Sequence, residues 1–214
     1  MSTITDPTSD AALEAAARRE RHRAEFMLAA FGTDVHGKPI EGFVSKTSLP
    51  SNSQILTPED YDHYIFILRH WDTGHDKLDM MNFRRHHGRK GYRIASRYKV
   101  LEANVPAEGE EPKFQLLGLH KKQHESNDQG KWLVHLCTTD MFDAICDAHE
   151  SVGHGRIKKT HNAVKDKYGN ITEVIVTTFL STCPQCATKS ETLRARKEET
   201  KLSTPGFREC FQVS

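Results

Sequence analysis

Apolar residues recur at helical spacing in parts of the amino-terminal half of the chain. Thr57 and Pro58, followed by two acidic residues, are typical of a helix start, and the apolar run behind them continues the helix to about His70. Composition favours a longer helix before this one, with its apolar residues gathered near its end. The elements predicted for this half are disorder over 1–12, helix over 13–31, loop over 32–56, helix over 57–70 and a short helix over 76–85.

A different pattern occupies residues 97–137. Three short segments there are rich in β-branched, aromatic and leucine residues, with the sequences R-Y-K-V-L-E-A, K-F-Q-L-L-G-L and K-W-L-V-H-L-C. Loops that contain proline, glycine or asparagine separate them, so we predict an antiparallel meander. Such a sheet has one face to bury, and we expect it to pack against the helices that follow.

Helical periodicity returns after the third predicted strand, with helices predicted over 139–149, 156–168 and 171–182. His149 continues the apolar stripe of the first of these helices and is expected to point toward the core. Asn170 with Glu173 resembles a capping box and predicts the start of the third. The β-branched sequence V-I-V-T-T-F leaves a strand as the alternative for that segment.

These elements predict an α+β protein in which a helical amino-terminal region and a three-stranded antiparallel meander precede a three-helix bundle. The predicted organisation is a disordered and helical segment over 1–56, a helical region of unassigned role over 57–95, a β-rich extension over 97–137, the three-helix domain over 138–190 and a charged tail over 191–214.

Composition limits both the size of the core and the charge available for binding. The hydrophobic fraction is 36% and the mean hydropathy is −0.64, so a modest core is expected, and a metal ion would add stability. The chain has 30 basic and 29 acidic residues, which excludes a highly basic, histone-like protein. Any contact with nucleic acid must therefore come from a local basic patch.

Two basic stretches are candidates for such a patch. The densest is F-R-R-H-H-G-R-K-G-Y-R over 83–93, where Phe83 and Tyr92 flank the basic residues. Cations with aromatics can bind phosphates and stack on bases; a solvated basic loop is an equal alternative. The run R-R-E-R-H-R over 18–23 is predicted to be a solvated helix face rather than a contact for an acidic partner.

The cysteines and the apolar runs bear on localisation. An odd count of 5 cysteines fits a reducing compartment better than a disulfide framework. The polar start lacks the apolar core of a signal peptide, and no run approaches the roughly 20 apolar residues of a membrane span. We therefore expect an intracellular protein, nuclear in a eukaryote, without a membrane partner.

Two histidines and two cysteines have the spacing of a metal site. His149 and His154 form H-x₄-H, Cys183 and Cys186 form C-x₂-C, and two predicted helices fill the gap. Zinc takes this donor set, and four protein ligands make a site structural rather than catalytic. The pattern predicts one structural Zn²⁺; the alternative is two incidental histidines and a reduced cysteine pair.

The same residues carry a family resemblance. The sequence H-E-S-V-G-H-G-R-I-K-K-T, then K-Y-G-N-I-T and F-L-S-T-C-P-Q-C-A-T-K, resembles the zinc-binding domain of retrotransposon, retroviral and related DNA-transposon integrases. The four ligands, the two glycines around His154, the Lys-Thr pair and a later Lys189 match the family pattern. The resemblance is strong over about 139–190 and weaker over 97–137.

The resemblance implies a helix-turn-helix-like zinc domain that binds DNA with low specificity and supports a homo-oligomer. It places the nucleic-acid contacts on the second helix, at Arg156, Lys158, Lys159, Thr160 and Lys165. The family's catalytic domain would follow Cys186, but residues 187–214 are too few for it, so no catalytic residue is predicted and the chain is expected not to be an enzyme.

We predict a non-catalytic, DNA-binding zinc module, either a fragment of a transposable-element integrase or a domesticated derivative. The alternatives are a protein-interaction or oligomerisation module, with the third helix and the meander as its dimer surface, and a nuclease that uses His86 and His87 or the zinc site. A zinc ion with four protein ligands leaves no open position for water, which argues against the nuclease.

Overall fold

Six helices and one three-stranded sheet form the described part of this computed structural model, residues 7–41, 54–71, 77–102, 113–120 and 130–188. The prediction of an α+β protein with a helical amino-terminal region is confirmed. In chain order the elements are α1 Pro7–Phe31, α2 Pro58–Trp71, α3 Lys77–Arg97, β1 Tyr98–Glu102, β2 Phe114–His120, β3 Lys131–His135, α4 Thr138–Ser151, α5 Ile157–Lys165 and α6 Glu173–Thr182. A helical turn at 184–188 follows α6.

The sheet is the predicted antiparallel meander, in the order β1-β2-β3. The expectation that it packs on the helices that follow is wrong, because α2 and α3, which precede it, supply the apolar residues that its buried face needs. Ile67 of α2 and Ile94 of α3 are buried with Leu116 of β2 in one core. The other members of this core are Leu56, Trp71 and Tyr98.

A second core lies between α1, α4, α5 and α6. Phe26 of α1, Phe142 of α4 and Phe179 of α6 are fully buried, with ring centroids 5.6 to 5.9 Å apart. The bundle therefore contains a fourth helix that the sequence did not assign to it. None of the helices in the described ranges is long and apolar enough to cross a membrane.

The basic run on α1 is a solvated helix face only in part: Arg18, Glu20 and Arg21 are exposed, but the other three residues contact the bundle. Arg23 donates to both carboxylate oxygens of Asp143 at 2.7 and 2.8 Å, and Arg19 contacts Asp143 and Asp147 at 3.0 and 3.1 Å. His22, between these arginines, is buried against Phe142 and Phe179. Two arginines of the run thus pair with α4, where the sequence predicted contact with water alone.

Three element predictions are corrected by the structure. α1 begins at Pro7, inside the segment predicted to be disordered, and residues 1–6 lie outside the described ranges, as do Lys189 and the tail over 191–214. The basic stretch 83–93 is helical, within α3, with a kink at Gly88. Residues 173–182 are helical, so the strand alternative is wrong, and the helix cap is Thr172 instead of Asn170.

The side-chain amide of Asn170 forms hydrogen bonds with two other segments of the chain, the residue after β3 and the segment before α2. Its Oδ1 accepts a hydrogen bond from the Leu136 amide at 3.0 Å, and its Nδ2 donates to the carbonyls of Leu136 and Gln54 at 2.7 and 3.3 Å. The residue is 3% exposed, so these bonds replace those that water would make. Asn170 is therefore held by tertiary contacts and is not free to cap α6.

A histidine pair lies where the sheet meets the bundle. The Nε2 atoms of His120 and His135 are 3.1 Å apart. A Cβ atom at Gly118 would overlap the His135 ring, and one at Gly169 would overlap the His120 ring, so glycine is required at both positions. Burial, with a smaller contribution from His120, lowers the pKa of His135 to about 4, and the pair is therefore neutral at pH 7.

Candidate metal centre

The four predicted ligand residues lie together. Their donor atoms are all within 4.8 Å of one another, and they form a group that could hold a metal ion. His149 Nε2 is 2.9 Å from His154 Nδ1, 3.2 Å from Cys186 Sγ and 3.6 Å from Cys183 Sγ. Cys183 Sγ is 3.8 Å from His154 Nδ1. Two imidazole nitrogens and two sulfurs thus face one point.

The end of α4 and the turn after it position the two histidines. His149 lies in the last turn of α4, is 1% exposed, and continues the buried stripe that ends at Ile145. Gly153 and His154 then adopt positive φ angles of 64° and 56°, a region that glycine enters freely and histidine tolerates better than most residues. The His154 amide bonds the His149 carbonyl at 2.9 Å, which brings the second ring back toward the first.

The end of α6 positions the two cysteines. Cys183 is the residue directly after α6 and is 3% exposed. The Ala187 amide bonds the Cys183 carbonyl at 3.0 Å, which closes a helical turn and directs Cys186 toward the same point. The site therefore connects the ends of α4 and α6, which are far apart in sequence.

Thr160 fixes the tautomer of His149. The Thr160 hydroxyl donates to the Gly155 carbonyl at 3.1 Å, so its oxygen accepts the proton of His149 Nδ1, also at 3.1 Å. The Nε2 lone pair of His149 is then free to bind a metal. The Thr160 side chain is 0% exposed, so its prediction as a nucleic-acid contact is wrong. The spacing of Ile157, Thr160 and Val164 along one helix side was the sequence signal for this burial.

Replacing Thr160 by valine is expected to weaken metal binding by about 10- to 100-fold, because the His149 Nδ1 proton would be left buried without an acceptor. Competition against a chromophoric chelator measures this affinity. The matched control is Thr160→Ser, which keeps the hydroxyl and is expected to bind nearly as well as the wild type. Equal affinity of the valine variant and the wild type would show that Thr160 does not support the site.

The α1 helix covers one side of the metal site, a contact that sequence analysis missed. A cavity of about 280 Å³ lies between them, lined by His22 and Arg19 of α1 and by three of the predicted ligands. The Phe179 ring faces both His149 and His22, at centroid distances of 5.6 and 4.6 Å. The cluster of apolar residues at the end of α1 was the only sequence signal of this packing.

Cys146 lines the same cavity but is not a fifth ligand of the described group. Burial, assisted by the Glu150 carboxylate, raises the pKa of Cys146 to about 12. Its Sγ donates to Glu150 Oε1 at 3.4 Å, as expected of a neutral thiol. The donor atoms that converge do not include its sulfur, so Cys146 is assigned to the core.

Comparison with known proteins finds similarity of limited extent. The chain is 30% identical over 101 residues to KRAB-A domain-containing protein 2 of Homo sapiens. The matched region is 47% of this chain and 18% of the human protein, so the chain spans less than a fifth of that relative's length. No family model matches the chain, and no solved structure matches it.

The predicted basic contacts, apart from Thr160, lie on the outer side of α5 and at its start. Arg156, the residue before α5, and the three lysines Lys158, Lys159 and Lys165 are exposed. None of them takes part in the ion pairs found among the described residues. Asn162, which sequence analysis did not select, is exposed between Lys158 and Lys165 at helical spacing. This side of α5 therefore presents cations and one amide to solvent.

Proposed function

We propose that the chain contains an integrase-type zinc module that binds DNA and does not catalyse a reaction. The convergence of two imidazole nitrogens and two cysteine sulfurs carries this proposal. A site with two nitrogen and two sulfur donors suits zinc, and zinc with four protein ligands has no position left for a reactive water. The ion would stabilise the bundle of α1, α4, α5 and α6.

The distances between donor atoms are consistent with a tetrahedral zinc site. Zinc bonds of about 2.1 Å to nitrogen and about 2.3 Å to sulfur place two nitrogens about 3.4 Å apart, and a nitrogen and a sulfur about 3.6 Å apart. The nitrogen–nitrogen distance here is 2.9 Å, and the nitrogen–sulfur distances are 3.2, 3.6 and 3.8 Å. These four distances lie within about 0.5 Å of the tetrahedral values, and the other two donor–donor distances are no longer than 4.8 Å.

Contact with DNA is proposed for the basic side of α5. Its four cations have no ion-pair partner among the described residues, and the sequence around them resembles the integrase domain. Lysine neutralises phosphate charge without selecting a base, so we propose backbone binding of low specificity. The side-chain amide of Asn162 can form hydrogen bonds with the edge of an adenine, so we propose it as the base contact of this surface.

The test of this proposal is binding of the zinc-loaded chain to a fluorescent DNA duplex across a series of salt concentrations. The variant K158Q/K159Q/K165Q is expected to bind more weakly, and the slope of log K against log salt should fall by about 0.9 for each lost phosphate contact. The matched control is K38Q/K99Q/K113Q, which removes the same charge from exposed lysines elsewhere. Absence of binding by the wild type at low salt, or equal loss in both variants, would refute the proposal.

An oligomerisation module on α6 and the sheet has less support. Phe26 and Met27 of α1 pack in the core to which Ile175 and Phe179 of α6 contribute, so the apolar side of α6 is covered by the same chain. A dimer through that side would require α1 to leave the bundle.

A further inference from the structure

The second half of α3 presents an exposed basic side. It is not part of the bundle of α1, α4, α5 and α6 that contains the candidate metal site, called the metal bundle below. After the kink at Gly88, the exposed residues are Arg89, Lys90, Tyr92, Arg93, Ser96 and Arg97. At 100° per residue they occupy one continuous side of the helix, about 160° wide. The opposite side is buried: Ile94 lies in the sheet core and Gly91 lies against Trp71. No acidic residue lies on this half of the helix.

Three of these cations line one cleft. Lys90, Arg93 and Arg97 border a cleft of about 340 Å³ together with the rings of Tyr64 and Tyr98. The other described residues that line it are Gln54, Ile55, Leu56 and Ile94, so no carboxylate in the described ranges borders the cleft. The ion pairs among the described residues include none from Lys90, Arg93 or Arg97.

This arrangement of charge favours an anionic ligand. Like charges three and four positions apart on a helix repel each other, and the repulsion reduces stability unless an anion screens it. A phosphate chain supplies anions at repeated spacing, and arginine binds phosphate through two parallel hydrogen bonds. The cleft is therefore complementary to a polyphosphate backbone.

An exposed aromatic ring at one edge of the basic side, outside the cleft, narrows the class of ligand. Tyr92 is 57% exposed, and its ring stands edge-on to Trp71 at a centroid distance of 4.9 Å, which restricts its orientation. A second exposed ring, Phe66, is 48% exposed on α2 and contacts Phe83 and His87 of α3. Exposed rings next to cations suit unpaired bases, which stack on them, whereas duplex DNA keeps its bases inside.

We propose that the second half of α3 binds single-stranded nucleic acid, with Lys90, Arg93 and Arg97 on its phosphates and Tyr92 stacked on a base. The site is separate from the basic side of α5, because α3 belongs to the sheet core and α5 to the metal bundle. It does not rest on the proposed function of α5, and either site can fail without the other.

The test uses the full zinc-loaded chain with fluorescent oligothymidine, oligouridine and a duplex of equal length. The variant K90Q/R93Q/R97Q is expected to bind both single strands at least tenfold more weakly, with a salt slope smaller by about 2, at about 0.7 for each phosphate. Tyr92→Ala should weaken binding about fivefold or more, and Tyr92→Phe, which keeps the ring, should bind like the wild type. All these side chains are exposed, so zinc content and circular dichroism should be unchanged.

The α5 variant K158Q/K159Q/K165Q is the matched control, since it removes three exposed cations from the metal bundle instead of from α3. It should leave single-strand binding within about twofold of the wild type, whether or not it affects the duplex. The proposal is overturned if the wild type binds neither single strand at low salt, or if the α3 variant binds like the wild type. If Tyr92→Ala binds single strands as tightly as the wild type does, or if the wild type prefers the duplex, the assignment of unpaired bases as the ligand is overturned. Stronger binding of oligothymidine or oligouridine would identify the strand as DNA or RNA.

Discussion

Replacing Cys183 by serine is expected to release the metal and to unfold the bundle of α1, α4, α5 and α6. A serine hydroxyl is a poor zinc ligand, and three remaining ligands would hold the ion far more weakly. Structural zinc contributes on the order of 10 kcal/mol or more, and for a small domain this binding energy is also folding energy. The loss is therefore comparable to the whole free energy of unfolding of a domain, which is about 5 to 15 kcal/mol.

Metal content by mass spectrometry and helix content by circular dichroism measure this effect together. The wild type should contain one zinc ion per chain, and Cys183→Ser should have lost both the ion and much of the helical signal. Cys146→Ser is the matched control, because Cys146 is a buried thiol in the same bundle but is not a ligand. It should keep its zinc. Full metal content and an unchanged spectrum in Cys183→Ser would exclude the proposed site.

Replacing Phe26 by alanine is expected to destabilise the same bundle by about 3 to 5 kcal/mol, although Phe26 is not one of the four candidate ligands. Its ring is fully buried, with the rings of Phe31, Phe142 and Phe179 within 5.9 Å. Removal of the ring leaves a cavity between α1 and the two helices that end at the metal site. The metal should remain bound at neutral pH, because all four ligands are intact.

Urea unfolding of the zinc-loaded protein tests this prediction, with zinc content as the second measurement. Leu13→Ala is the control on the same helix: Leu13 is 66% exposed, and its loss should change the free energy of unfolding by less than about 0.5 kcal/mol. If Phe26→Ala and Leu13→Ala are equally stable, α1 does not dock on the bundle.

Local patterns in the sequence predicted the elements and the ligand set. The three strand segments differ from their surroundings in composition, and the prediction of a meander is confirmed. The histidine and cysteine pairs needed only their spacing, because each pair lies on a single turn at the end of a helix. In both cases the information is contained in residues that are close in sequence.

The docking of α1 could not be predicted in this way. Arg23 and Asp143 are separated by 120 positions, and nothing near either residue indicates the pairing. The same limit explains the cap of α6: Asn170 and Thr172 can both cap a helix, but Asn170 bonds Leu136 and Gln54, so Thr172 caps.

Two glycines made the basic stretch of α3 resemble a loop, but they have different roles. Gly88 has a φ of 51° and forms the kink. Gly91 is required by packing, since a Cβ atom there would lie 2.6 Å from the Trp71 ring. The sequence does not distinguish a glycine that bends the chain from one that makes room for a neighbour.

The buried amide of Asn170 has a consequence for any attempt to study the metal bundle by itself. A fragment that begins at residue 138 would lack both Leu136 and Gln54, and that amide would lose its three hydrogen bonds to them. It would also lose α1 and with it the cover over His149. Excision at the boundary that the sequence suggests would thus yield a metal-binding peptide rather than the intact four-helix unit.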